Sequence, residues 1–135
     1  MESDIPSLKI TVTTKDQVVY LTGKVDTTLQ ASKLIEIAQG VSDVKEVDDS
    51  KLTTTSSDNF FKDAMITAKV KGKISQLSSD GKIGKGNDLH VETTNGVVHI
   101  FGKVSKNGDT SVIESAAAKV ADVSKVQTNI DVVKK

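Results

Sequence analysis

The chain has 135 residues, enough for one ordinary domain or two small ones, and its 18 basic and 18 acidic residues cancel. It has no cysteine and no arginine, and only four of its residues are aromatic. These counts exclude a disulfide framework, a thiolate metal site, bidentate arginine recognition of phosphate and an aromatic platform for stacked bases. No apolar run approaches the length of a membrane-spanning helix, and Met1-Glu2-Ser3-Asp4 does not read as a signal peptide. The mature part of an exported protein carrying a new Met would look the same. Charge is uneven: residues 1–57 hold 6 Lys against 9 acidic residues, and residues 58–135 hold 12 Lys against 9. The second part is therefore the one expected to approach an anionic surface.

Along the chain, a strand is expected over Leu8–Thr14, a turn around Lys15-Asp16 and a second strand over Val18–Val25. A helix follows over Thr28–Gln39 with Gly40 as its C-cap. The strand after it lacks clean alternation, with Asp49 and Lys51 at positions that should be apolar.

Asp58–Ser79 then reads as a longer helix, because Ile66, Val70, Ile74 and Leu77 recur at helical spacing. Gly81, Gly84, Gly86 and Asn87 predict a loose connector, and Leu89–Thr94 alternates as a strand. Asn95-Gly96 is a two-residue hairpin signal. The return strand puts Val98, Ile100, Gly102 and Val104 on its buried face. Ser111-Val112-Ile113-Glu114 has capping-box spacing, opening a helix that buries Ile113, Ala116, Ala117 and Val120. Thr128, Ile130 and Val132 form a last strand.

The two parts are copies. Val18–Val25 returns as Val97–Val104 at an offset of 79, and the same offset carries Leu34, Ala38 and Val41 onto Ile113, Ala117 and Val120. The expectation is an α+β protein of two units, at 8–55 and 58–133. Each is built around a three-stranded mixed sheet with helices on one face, in the order helix-strand-strand-helix-strand (αββαβ). The first unit lacks its opening helix, since only nine residues precede Ile10, and its sheet is left half uncovered.

Asp63-Ala-Met-Ile66-Thr-Ala-Lys-Val70, the series from Leu89 through Gly96, Gly102 and Val104, and Ala117, Val120, Val123 and Val126 together resemble a BON domain, covering almost all of residues 60–133. The resemblance implies tandem αββαβ units, export to the bacterial periplasm, a link to osmotic stress and no enzymatic activity. It also implies association with phospholipid or with envelope proteins.

No cofactor or metal is expected: His90 and His99 face outward on neighbouring strands, and two imidazoles rarely hold a metal alone. Gly81-Lys82-Ile83-Gly84 has the form of a nucleic-acid clamp but falls between a helix and a strand, so it reads as a flexible connector and no nucleic acid is expected. The best candidate is the 58–79 helix. Turning its stripe inward leaves Phe61, Ala64, Met65, Ala68 and Gly72 on the far side, edged by Lys62, Lys69 and Lys71, with Lys73 nearer the core. An apolar strip edged with lysines suits an anionic phospholipid surface. The competing reading packs that strip on the uncovered first unit or on a second copy in a homodimer, favoured by the area it buries. The alternative function is a protein-interaction or chaperone-like module whose strip and open first sheet receive a partner.

Overall fold

The computed structural model describes residues 9–54, 61–84, 87–120 and 122–133. Leu8 and residues 58–60, expected to open a strand and a helix, lie outside that set. The elements are β1 (Lys9–Lys15), β2 (Val18–Val25), α1 (Thr28–Gln39), β3 (Glu46–Thr54), α2 (Phe61–Ser79), β4 (Asp88–Thr94), β5 (Val97–Val104), α3 (Asp109–Ala118) and β6 (Lys125–Val132).

The internal repeat extends to the backbone. Asp16 and Gln17 take φ values of 52° and 69°, and their counterparts Asn95 and Gly96 take 51° and 83°. Asp43 and Asp122 match at 73° and 72°, as do Gly23 and Gly102 at 136° and 139°. Left-handed geometry is uncommon outside glycine, so its return at one fixed spacing reflects a shared chain path. In each copy a central strand pairs antiparallel with the strand before it and parallel with the strand after it, giving orders β1-β2-β3 and β4-β5-β6. The parallel pairs need crossovers, which α1 and α3 supply.

Side chains of the central strands alternate as expected, burying Val19, Leu21 and Val25 in one core and Val98, Ile100 and Val104 in the other. Each aliphatic side chain buried this fully contributes about 1.5–3 kcal/mol. In the second copy, α2 and α3 lie over the same sheet and share that core.

The irregular strand has a physical cause. Tyr20 pairs with Asp48 but Thr22 pairs with Lys51, so Asp49 and Ser50 together stand opposite Leu21. This bulge shifts the register by one residue and brings Leu52 opposite Gly23, into the core, where unbroken alternation would have placed Lys51. Ser50 closes the bulge by donating from its backbone N–H (2.9 Å) and hydroxyl (2.6 Å) to the Asp48 carboxylate. Those bonds, the hydroxyl's foremost, hold the Asp48 pKa below the ordinary carboxylate value.

Two local expectations are corrected. The capping box belongs to α1, not α3: Thr27 Oγ1 accepts from the Gln30 N–H while Gln30 Oε1 accepts from the Thr27 N–H. Helix α3 opens earlier, at Asp109 after Gly108, and has no side-chain cap. The buried Asp109 carboxylate instead faces inward and accepts from the Gly84 N–H at 2.8 Å. With Ile83 buried in the second core, the end of the Gly81–Gly84 segment is pinned rather than loose.

Candidate interaction surfaces

Helix α2 is the element on which any binding surface depends, because both of its long faces are occupied. One face carries Ile66 and Val70, with Ile74 and Leu77, into the second core. Its first turn is anchored by Asp63, whose carboxylate accepts from the Asn95 and Gly96 N–H groups at 2.8 and 3.0 Å. The two left-handed residues of the hairpin aim both amides at one point, which suits a carboxylate.

The other face packs on the first copy. Met65 and Ala68 are buried in the first core, and Phe61 and Ala64 lie against it. Gly72 lets the helices touch: a Cβ there would stand 2.5 Å from Gln39 Cβ and 2.8 Å from the Glu36 carbonyl oxygen. Gln76 Nε2 donates to the carbonyls of Val41 and Val44, both at 2.7 Å, tying α2 to the loop after α1.

The expected free strip is thus an internal one, packed on the first copy. Met65 and Lys69 are buried, and Lys69 Nζ lies 2.7 Å from Asp49 Oδ1, on the bulge. Lys73 Nζ donates to the Lys45 carbonyl. Lys71, half exposed, faces Glu36 at 3.7 Å, a contact worth little in water. Phe61 is half-buried and Lys62 is exposed. Neither Met65 nor Lys69 can reach a membrane unless the two copies part.

Sequence reasoning did not show that α2 lies on opposite flanks of the two equivalent helices. On α3 its neighbours are Val112, Ala116 and Lys119, which share a cleft with Lys73, Gln76 and Leu77, while Ile113 and Val120 are buried in the second core. Against α1 it covers the flank of Glu36 and Gln39. Two α1-side residues are more exposed than their counterparts: Val41 is 54 % exposed where Val120 is buried, and Ile37 is 70 % exposed where Ala116 is half-buried. Val12 on β1 is 61 % exposed, whereas its counterpart Val91 packs against the second core. Val12, Ile37 and Val41 leave aliphatic surface exposed on the first copy, while Leu34 and Ile10 are half-buried against its core.

The family model described as "BON domain" matches residues 1–55 and 62–134. The chain belongs to the BON domain family. Its αββαβ second copy has the element order that the sequence resemblance implied. Osmotically-inducible protein Y of Escherichia coli (strain K12) is 31 % identical over 131 residues. That alignment covers 94 % of this chain and 63 % of the relative, so the BON chain spans under two thirds of the relative's length. A solved structure of CdsD, a structural protein of the type III secretion system of Chlamydia trachomatis, aligns over 97 % of this chain and 88 % of its own. Its sequence identity is 14 % and its TM-score 0.44, too low to carry an argument.

A second feature of the BON chain is cationic. Lys45, Lys73 and Lys119 line one cleft of about 340 Å3 where the α1–β3 loop, α2 and α3 meet, with Glu46 at its rim. Burial, then the neighbouring Lys119, pushes the Lys73 ammonium below the ordinary lysine pKa, and Glu46 opposes the shift. Lys82 joins Lys73 and Lys119 around the adjoining groove. Lys45, Lys82 and Lys119 come from separate loops and a helix end, and no local motif marks them. The histidines do not meet: His90 stacks on Phe101 at 5.4 Å, and His99 Nε2 lies 2.6 Å from Gln127 Oε1. Among the described residues no three His, Asp or Glu side chains gather as metal ligands, and no helix is long and apolar enough to cross a membrane.

Proposed function

We propose that this BON protein acts in the bacterial periplasm during osmotic stress, by binding other envelope proteins rather than by chemistry. The observation that carries this reading is the exposed aliphatic surface of Val12, Ile37 and Val41 in the first copy, set beside Val91 and Val120, which pack into the second core. An exposed run of aliphatic side chains costs solubility in a monomer and is commonly retained for a partner. Family membership and the osmotic inducibility named for the E. coli relative support the setting.

Aggregation of a model client protein, followed by light scattering, tests the reading. Equimolar chain is expected to suppress scattering, and the variant Val12→Lys/Ile37→Glu, altered only at exposed positions, is expected to lose most of that effect. Full suppression by the variant would remove that exposed surface from the function. A second reading, contact with anionic phospholipid, rests on the Lys45, Lys73 and Lys119 cleft with exposed Lys62 and Lys71 beside it. Sedimentation with anionic but not neutral vesicles, lost on Lys73→Glu/Lys119→Glu, would favour it.

A further inference from the structure

The chain holds two Asn-Gly pairs, Asn95-Gly96 and Asn107-Gly108, and the fold treats them oppositely. An asparagine ahead of glycine cyclises without an enzyme. The glycine backbone nitrogen loses its proton and attacks the side-chain amide carbon of the asparagine. The new C–N bond closes a five-membered succinimide as ammonia leaves, and water then opens either ring carbonyl to give aspartate or isoaspartate. The reaction needs a glycine nitrogen free to shed its proton and room around it for the ring.

At Asn95-Gly96 both conditions are opposed. The Gly96 N–H donates to Asp63 Oδ1 at 3.0 Å, and the Asn95 N–H donates to Asp63 Oδ2 at 2.8 Å. A carboxylate beside the nitrogen disfavours the negative charge that loss of its proton would create. The pair also closes the β4–β5 hairpin, and its Gly96 carbonyl accepts from the Ser124 N–H at 2.9 Å. A Cβ on Gly96 would stand 3.2 Å from Ser124 Oγ, so space there is short.

Asn107 and Gly108 are exposed, the central pair of a turn in which the Asp109 N–H donates to the Lys106 carbonyl at 3.2 Å. Among the described residues nothing accepts from the Gly108 N–H. A Cβ built on Gly108 would meet nothing within 4 Å, which leaves room for the ring. We propose that Asn107 is a spontaneous modification site, converting to aspartate and isoaspartate through a succinimide with Gly108, while the Asp63 clamp spares Asn95. The new carboxylate lies just ahead of α3, which has no side-chain cap and whose first N–H groups favour negative charge. Conversion adds one negative charge to a chain whose formal net charge is zero.

The test incubates the folded full chain in mildly alkaline buffer and follows tryptic peptides 86–103 and 107–119 by tandem mass spectrometry, with anion exchange resolving the acidic species. Asn107 is expected to convert about tenfold faster than Asn95 or more, the factor that a hydrogen bond to a charged group supplies. In the guanidinium-unfolded chain, where the clamp is gone, the two sites are expected to react at similar rates. Gly108→Ala, at an ordinary φ of −77° and with open space for its methyl, is expected to fold as the parent and to arrest most of the conversion at 107. Asp63→Asn, which removes the charge beside the Gly96 nitrogen, is expected to speed conversion at Asn95. Equal rates at the two sites in the folded chain, or faster conversion at Asn95, would overturn the proposal. So would an intact Asn107 after a time in which the unfolded chain has reacted, or a rate at Asn95 unmoved by Asp63→Asn.

Discussion

Gly102→Ala is expected to unfold the second copy under conditions where the parent chain is stable. A Cβ at this position would stand 2.0 Å from the Asp88 carbonyl oxygen and 3.1 Å from Leu89 Cα. Both obstacles are backbone of the paired strand, so no side-chain rotation relieves them. The backbone adds a second penalty, since φ at Gly102 is 139°, a region that L residues rarely enter. Strain of this kind and overpacking each cost about 1–3 kcal/mol. Together they amount to a large share of the roughly 5–15 kcal/mol that holds a domain folded. Thermal unfolding by circular dichroism should show a Tm lower by about 10 °C or more. A shift within about 2 °C would mean that Leu89 does not sit opposite Gly102, and the second sheet would need another register.

Asp49→Ala is the second large effect, and its direction separates the ion pair from mere surface charge. Lys69 is 5 % exposed, and Asp49 Oδ1 lies 2.7 Å from its Nζ. Removing the carboxylate leaves an ammonium buried without its counter-charge, which costs about 3 kcal/mol in comparable buried pairs. Asp49→Asn keeps an accepting oxygen and should cost about half as much. Replacing both partners, as Lys69→Met/Asp49→Val, removes the desolvated charges together and should return stability to within about 1 kcal/mol of the parent. Urea denaturation of the three variants checks this order. Equal stability of Asp49→Ala and the parent would show that Lys69 reaches water, and that the seam between α2 and the β3 bulge is open.

Residue pattern alone carried much of the architecture, and the places where it failed share a cause. The offset of 79 placed β2 and β5 residue for residue, because the central strands alternate without interruption and glycine returns at a fixed site in each. Strand β3 was harder, since a single inserted residue moves every later side chain to the opposite face and leaves Lys51 where a core residue was due. The spacing of Ser111 and Glu114 imitated a cap, but Asp109, two residues earlier, starts the helix and turns to the Gly84 amide. Glycine-rich composition suggested a loose connector because composition does not register the buried Ile83.

The candidate surface was legible only in part. Periodicity showed that α2 has two usable faces and marked Phe61, Met65 and Lys69 as special. It could not state which neighbour covers them, because that depends on contacts between residues about 20 to 35 positions apart, such as Lys69–Asp49 and Gln76–Val41. The exposure of Ile37 and Val41 emerged only from comparing them with Ala116 and Val120 in the second copy.

That α2 clamps the first copy while serving as a helix of the second is most directly tested by a cross-link. The chain has no cysteine, and a Cβ built on Gly40 lies 3.7 Å from Ser75 Cβ, within the separation a disulfide requires. Under mild oxidation, Gly40→Cys/Ser75→Cys should form an intramolecular disulfide in nearly every monomer, seen as faster migration on non-reducing gels that reverts with reductant. Free thiols persisting in the folded monomer, or disulfides formed only between chains, would contradict the clamp.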